Sequence, residues 1–156
     1  METYFCIPPP IPGLESHLGY WLRRVSNAVS GAFARSLHAR RTSVAEWVVL
    51  RHLSESEQAP GELAEALTMT RGAISKIVDK LQAKGWIRSE TNSDDNRRQI
   101  LSLTALGRRT LPQLAQIADQ NDELFFTCLS KGEQSELRRL LTKLAEHHHM
   151  RKAPVD

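Results

Sequence analysis

Cysteine is scarce in this chain of 156 residues, with Cys6 and Cys128 the two present. They lie too far apart to be the disulfide framework that small secreted domains rely on, so a reducing cytoplasm is the expected compartment. Neither has a basic neighbour in sequence to lower its pKa, and both read as inert, with a redox role for Cys6 as the alternative. Long apolar runs are also missing. Nothing approaches the ~20 residues that cross a bilayer, and the N-terminus lacks the basic start and apolar core of a signal peptide; no membrane partner is expected. No glycine-rich phosphate loop, nucleophile elbow or paired-histidine metal motif occurs, so an enzyme, catalytic residues and a cofactor are not expected. His147, His148 and His149 resemble a metal cluster in composition alone. Consecutive helical residues point in different directions, and histidines suit a helix C-terminus, so no metal is expected there.

A strong excess of one charge is absent too: the net charge is +3. Its distribution is more informative than its size. Between Arg71 and Arg109 the bases Arg71, Lys76, Lys80, Lys84, Arg88, Arg97, Arg98, Arg108 and Arg109 outnumber the acids Asp79, Glu90, Asp94 and Asp95. At the start of this region, Ile74, Ile77, Val78 and Leu81 fall at the spacing of a helix that buries one stripe. Arg71, Gly72, Ser75, Lys76, Asp79 and Lys80 take the opposite face. Basic, hydroxyl and very small side chains there can approach the groove of double-stranded DNA. Thr70 can cap the first turn, whose free amides and positive dipole end suit a phosphate. An ordinary amphipathic surface helix has the same spacing, and the neighbouring segments decide between the two.

In chain order, residues 1–13 form a proline-rich arm whose Pro8, Pro9, Pro10 and Pro12 forbid helix. A helix with a wide apolar stripe follows from Leu14 to about Leu37, using Leu18, Trp21, Leu22, Val25, Ala28, Val29, Ala32 and Phe33. His17, Tyr20, Trp21 and Arg24 cluster at its start, where they either line a pocket for an aromatic acid or pack as core aromatics with solvated tips. Ser43 and Glu46 make a capping box for a second helix through Leu53. Ser54 to Ala59 reads as a loop, and Pro60 starts a short helix to Leu67 for which Ala59 is no cap. A tight turn at Thr68 and Met69 leads into the basic helix, completing a helix-turn-helix, and Gly85 stops that helix. Trp86 to Thr91 and Gln99 to Leu103 read as strands of a hairpin, with Leu101 and Leu103 facing inward and polar Ser102 outward. At its polar tip, Arg97 or Arg98 is placed for a minor groove, and Asp95 can steady the Arg97 guanidinium. Thr104 opens a fifth helix, in which Pro112 predicts a kink. Ser130 and Glu133 box a sixth, striped with Leu137, Leu140, Leu141 and Leu144.

Glu46-Trp47 with Leu50, Glu62-Leu63-Ala64, and Ser75 to Leu81 followed by Lys84-Gly85-Trp86-Ile87 together resemble the MarR family, the winged helix-turn-helix regulators named for multiple antibiotic resistance. Asp95-Asn96-Arg97-Arg98, Leu103-Thr104 with Gly107, and Leu129-Ser130 with Glu133 and the leucines after it extend the match. The resemblance implies a mostly α fold with a small β-hairpin wing and with helical dimerisation regions at both ends. The expected division is 1–13 arm, 14–42 first dimerisation helix and turn, 43–103 winged helix-turn-helix, 104–149 C-terminal dimerisation helices and 150–156 tail. It further implies a homodimer that binds an inverted-repeat operator through Thr70, Arg71, Gly72, Ser75, Lys76, Lys80, Asp95, Arg97 and Arg98. Such a protein is expected to be a repressor relieved by a small aromatic or phenolic ligand, bound between His17, Tyr20, Trp21 and Arg24 on one side and Trp47 on the other. The contrasting expectation is a winged helix whose basic face meets an acidic protein partner. Family members that sense peroxides carry a cysteine near the start of the first helix, and Cys6 lies ahead of that position.

Overall fold

The computed structural model describes residues 11–91 and 99–150. After a 3-10 turn at Leu14–Ser16 come α1 (Leu18–Ala39), α2 (Val44–Glu55), α3 (Pro60–Leu67) and α4 (Arg71–Ala83). The hairpin β1 (Ile87–Thr91) and β2 (Gln99–Leu103) follows, then α5 (Ala105–Phe126) and α6 (Lys131–His147). This is the mostly helical architecture with a small hairpin that the sequence predicts.

The buried core sits in one place. Val49, Leu50 and Leu53 of α2, Leu63 and Leu67 of α3, Ile74, Ile77, Val78 and Leu81 of α4, and Ile87, Leu101 and Leu103 of the hairpin close on one another, with Leu37 and Leu114 from α1 and α5 at the edge. Both predicted capping boxes form: Ser43 Oγ accepts from Glu46 N–H at 3.1 Å while Glu46 Oε2 accepts from Ser43 N–H at 2.6 Å, and Ser130 and Glu133 do the same at 3.3 and 2.8 Å. Ala59 indeed contributes no side-chain cap to α3, yet Glu62 Oε2 reaches back to its N–H at 3.1 Å. Gly85 has φ +69°, the left-handed conformation that ends α4.

Several expectations need correction. The first helix does not run unbroken from Leu14. His17 is extended (φ −99°, ψ 125°), and the 3-10 turn before it is held by Ser16 Oγ donating to Gly13 O at 2.7 Å. Apolar spacing carries through such a break because it does not register backbone angles. Trp86 is not in the first strand: its N–H goes to Leu81 O and its carbonyl receives Thr104 N–H, so it belongs to the turn closing α4. Ser54 to Ala59 is not all loop, since Gln58 pairs with Leu101 through two backbone hydrogen bonds of 3.2 and 2.8 Å, a one-residue third strand. Ser102 is buried, not solvated, because Arg88 across the ladder lies over it and donates Nε–H to its Oγ at 3.1 Å. Pro112 lies inside α5, which runs on past it to Phe126, so the proline does not end the helix. The proline arm up to residue 10, with Cys6, and the tail from residue 151 lie outside the described residues.

Outside the head, apolar stripes remain uncovered. Leu18, Trp21, Leu22 and Val25 of α1 are exposed, as are Leu137, Leu140, Leu141 and Leu144 of α6, a helix with no buried residue.

Candidate nucleic-acid interface

The short helix α3 ends at Thr68, which takes a left-handed conformation (φ 55°) and turns the chain within three residues into α4. Met69 N–H is satisfied by Ala64 O at 2.9 Å, so the turn folds back on the helix it leaves. Thr70 is extended and its Oγ1 accepts from Ala73 N–H at 3.1 Å, the predicted cap. Amides of that first turn stay open to solvent and to an anion.

The two faces of α4 separate as the spacing requires. Ile74 and Leu81 are fully buried and Ile77 and Val78 nearly so, whereas Arg71, Gly72, Ser75, Lys76, Asp79 and Lys80 are exposed. No atom comes within 4 Å of where a Cβ on Gly72 would stand, so nothing inside the protein requires glycine there. The nine proposed contacts thus divide: Thr70, Arg71, Gly72, Ser75, Lys76 and Lys80 are exposed on α4 and its cap, and the three wing residues Asp95, Arg97 and Arg98 lie outside the described residues.

A polar cluster that the sequence reading missed anchors the far end of this helix. Lys84 Nζ lies 2.8 Å from Glu46 Oε1, donates to Arg41 O at 2.6 Å and stands 4.8 Å from the centroid of the Trp86 ring. Glu46 is 4% exposed. Burial pushes its carboxyl up, but the Lys84 contact and the Ser43 N–H outweigh this and hold its pKa below the ordinary 4.5. Glu46 had signalled only a capping box, and nothing in sequence pairs it with a lysine 38 residues on.

The five residues proposed for a ligand do not form one pocket within a chain. Tyr20 and Trp21 meet edge to face at 5.4 Å, and the Arg24 guanidinium lies 5.5 Å from the Trp21 ring, all near the start of α1. Trp21 Nε1 donates to Glu15 O at 2.8 Å, and His17 stands at the N-cap position of α1. Trp47 instead packs edge to face on Phe33 at 6.3 Å. Phe33 is twelve residues beyond Trp21 on α1, about 18 Å along a helix axis.

A family model described as MarR family matches residues 42–98, the segment from the end of the α1–α2 turn through the hairpin. An HTH-type transcriptional regulator of Bacillus cereus is 30% identical over 145 residues, which cover 87% of this chain and 93% of that one. The chain belongs to the MarR family. Among solved MarR structures, the apo form of MarR from Escherichia coli superposes with a TM-score of 0.71 at 26% identity, covering 86% of this chain and 97% of that chain. A cysteine-to-serine variant of the same MarR, crystallised with operator DNA, gives 0.69 at 25% identity over 81% and 92% of the two chains. The protein is a MarR-type transcriptional regulator with a DNA-binding winged helix. No helix among its described residues is long and apolar enough to cross a membrane.

Proposed function

We propose that this regulator acts as a cytoplasmic homodimer on an inverted-repeat operator, with α4 in the major groove and a wing arginine, Arg97 or Arg98, in the adjacent minor groove. The observation that carries the reading is the division of α4: its apolar stripe is sealed in the head, while a capped N-terminus, Arg71, Ser75 and Lys76 face outward together with no covering element among the described residues. Such a convex, basic, small-residue surface fits a groove. Thr70, Gly72 and Lys80 complete its phosphate-facing rim, and Asp95 orients Arg97. Residues 43–103 form the DNA-binding unit. Residues 14–42 and 104–149 supply the dimer contacts, because the leucines of α6 and the start of α1 would otherwise leave two apolar stripes in water.

Bound at a promoter, the dimer blocks transcription of neighbouring genes, and a small aromatic acid or phenol relieves the block. Tyr20, Trp21 and Arg24 carry the ligand part of the proposal, since a guanidinium beside aromatic rings suits a planar anion. His17 borders them. Trp47 joins such a site only if a second copy brings its head to this end of α1.

The test is selection from a randomised inverted-repeat duplex library, followed by titration at several salt concentrations. The expected result is one selected repeat bound far more tightly than random duplex, with affinity falling steeply as salt rises. Equal binding of all duplexes, or none, would favour an acidic protein partner for the same face and end the operator reading.

A further inference from the structure

Resting on that reading of α4 as the operator-reading helix, we infer that Glu46 and Lys84 are positioning residues for operator recognition: their ion pair locks the far end of α4 to the turn that ends α1. The geometry has three parts. Lys84 Nζ contacts Glu46 Oε1 at 2.8 Å and Arg41 O at 2.6 Å, and it lies 4.8 Å from the Trp86 ring at the base of the wing. Glu46 is held from its other oxygen by Ser43 N–H at 2.6 Å, so the carboxylate cannot turn away without losing the N-terminal cap of α2. Arg41, whose carbonyl takes the ammonium, is itself in the left-handed region at φ 54°, two residues after the last residue of α1. One ammonium therefore joins the end of α1, the start of α2, the end of α4 and the base of the wing.

The arrangement matters because apolar burial does not fix direction. Ile74, Ile77, Val78 and Leu81 keep α4 on the head, but contacts of that kind tolerate small rolls and slides. Short charge-assisted hydrogen bonds do not. Lys84 sits thirteen residues from Arg71, a lever of about 20 Å, so a tilt of about 5° at the lock moves Arg71 by about 1.7 Å. A shift of that size takes a base-edge hydrogen bond out of range. An enclosed ion pair adds little net stability over an apolar pair of similar volume, because desolvation offsets attraction; what the apolar pair lacks is direction. Since α1 carries the uncovered stripe assigned above to the dimer, the lock is also the route by which the spacing of two heads reaches the angle of each reading helix.

The experiment compares wild-type protein with the double variant Glu46→Leu/Lys84→Met, using the duplex that wild-type protein selects from a randomised library and a random duplex of equal length. The double variant is expected to unfold somewhat below the wild-type temperature, because Glu46→Leu also removes the hydrogen bond to Ser43 N–H, but to stay folded and to bind random duplex with the same affinity and salt slope. Its preference for the selected duplex is expected to fall by about tenfold or more, the loss of roughly one base contact per half-site. A purely structural role would move the melting temperature and leave the preference intact. If the folded double variant keeps the wild-type preference within about twofold, where related contacts are worth fivefold or more, the lock is refuted. Should the double variant not fold, Lys84→Arg is read by the same ratio, because a wide guanidinium fork cannot replace a compact ammonium between two oxygens. Unchanged preference in that variant refutes the lock equally. Wild-type protein that prefers no duplex would instead remove the operator reading, and so the two failures are told apart.

Discussion

Replacing Gly107 by alanine should destabilise the protein, although the same change at most helical glycines is favourable. Gly107 is the third residue of α5, where alanine gains about 1 kcal/mol in helix propensity. Here, however, a Cβ would stand 2.0 Å from Trp86 O, 2.9 Å from its carbonyl carbon and 3.2 Å from its Cα. All three are backbone atoms, so no side chain can swing aside, and α5 must retreat by more than 1 Å from the base of the wing. That movement strains the contacts made by Thr104, whose N–H donates to Trp86 O at 3.0 Å and whose hydroxyl donates to Gly85 O at 2.6 Å while accepting from Gly107 N–H at 3.0 Å. Overpacking costs about 1–3 kcal/mol, and two weakened hydrogen bonds add about 1–3 kcal/mol. Less the propensity gain of about 1 kcal/mol, the net is about 1–5 kcal/mol, a melting temperature lower by roughly 2–20 °C for a chain of this size. The assay is thermal and urea unfolding at fixed protein concentration, since association shifts apparent stability. Gly72→Ala is the paired control: it meets nothing within 4 Å and should stabilise by about 0.5–1 kcal/mol. A Gly107→Ala protein as stable as wild type would refute the argument from close approach.

Three further outcomes are expected. Arg71→Ala should weaken binding to the selected duplex by about 1–3 kcal/mol and relax preference at one base pair of each half-site, measured by fluorescence anisotropy on duplex variants; an equal loss on every duplex would make Arg71 a phosphate contact instead. Leu140→Glu/Leu144→Glu should raise the dimer dissociation constant by roughly a hundredfold or more in sedimentation experiments and leave the head folded, because no α6 residue is buried in the core; unchanged association would place the dimer elsewhere. For Glu46, the folded carboxyl binds its proton less readily than the unfolded one, so its contribution to stability is present above about pH 4.5 and is lost as pH falls through the lower folded value. The gap in melting temperature between wild type and Glu46→Gln should therefore shrink below pH 4.5, and a gap that widens on acidification would contradict the pairing with Lys84.

The parts of the fold legible in sequence were those set by local chemistry. Capping pairs at Ser43 and Glu46 and at Ser130 and Glu133 place helix starts because donor and acceptor lie three residues apart, and Gly85 ends α4 because few other residues adopt its backbone angles. The stripe of α4 likewise needed only helical spacing to say which residues the head would seal. What escaped was every contact between segments far apart in sequence that carries no periodic mark. Gln58 gave no sign of its bridge to Leu101, since two backbone hydrogen bonds impose no requirement on the side chain. Gly107 could not be told from a tolerated helical glycine until Trp86 O stood beside it. Glu46 already had a local role, and that explanation concealed its second one with Lys84.

The proposed ligand residues show the limit of helical spacing from the other side. Tyr20, Trp21 and Arg24 fall within five residues of a helix, and their contacts form as the spacing implies. Joining them to Trp47 required a tertiary distance, which helical spacing does not supply, and α1 carries Phe33 to Trp47 while leaving Trp21 at the other end. The same helix then has two kinds of apolar surface. Near Phe33 and Leu37 it packs on its own head, whereas Leu18, Trp21, Leu22 and Val25 are exposed among the described residues. A uniform stripe in sequence thus divides in space at the point where the chain's own core stops. The division places the proposed dimer contact of Leu18, Leu22 and Val25 at the same end of α1 that carries Tyr20, Trp21 and Arg24, with Trp21 next to the stripe and Tyr20 and Arg24 turned further round the helix.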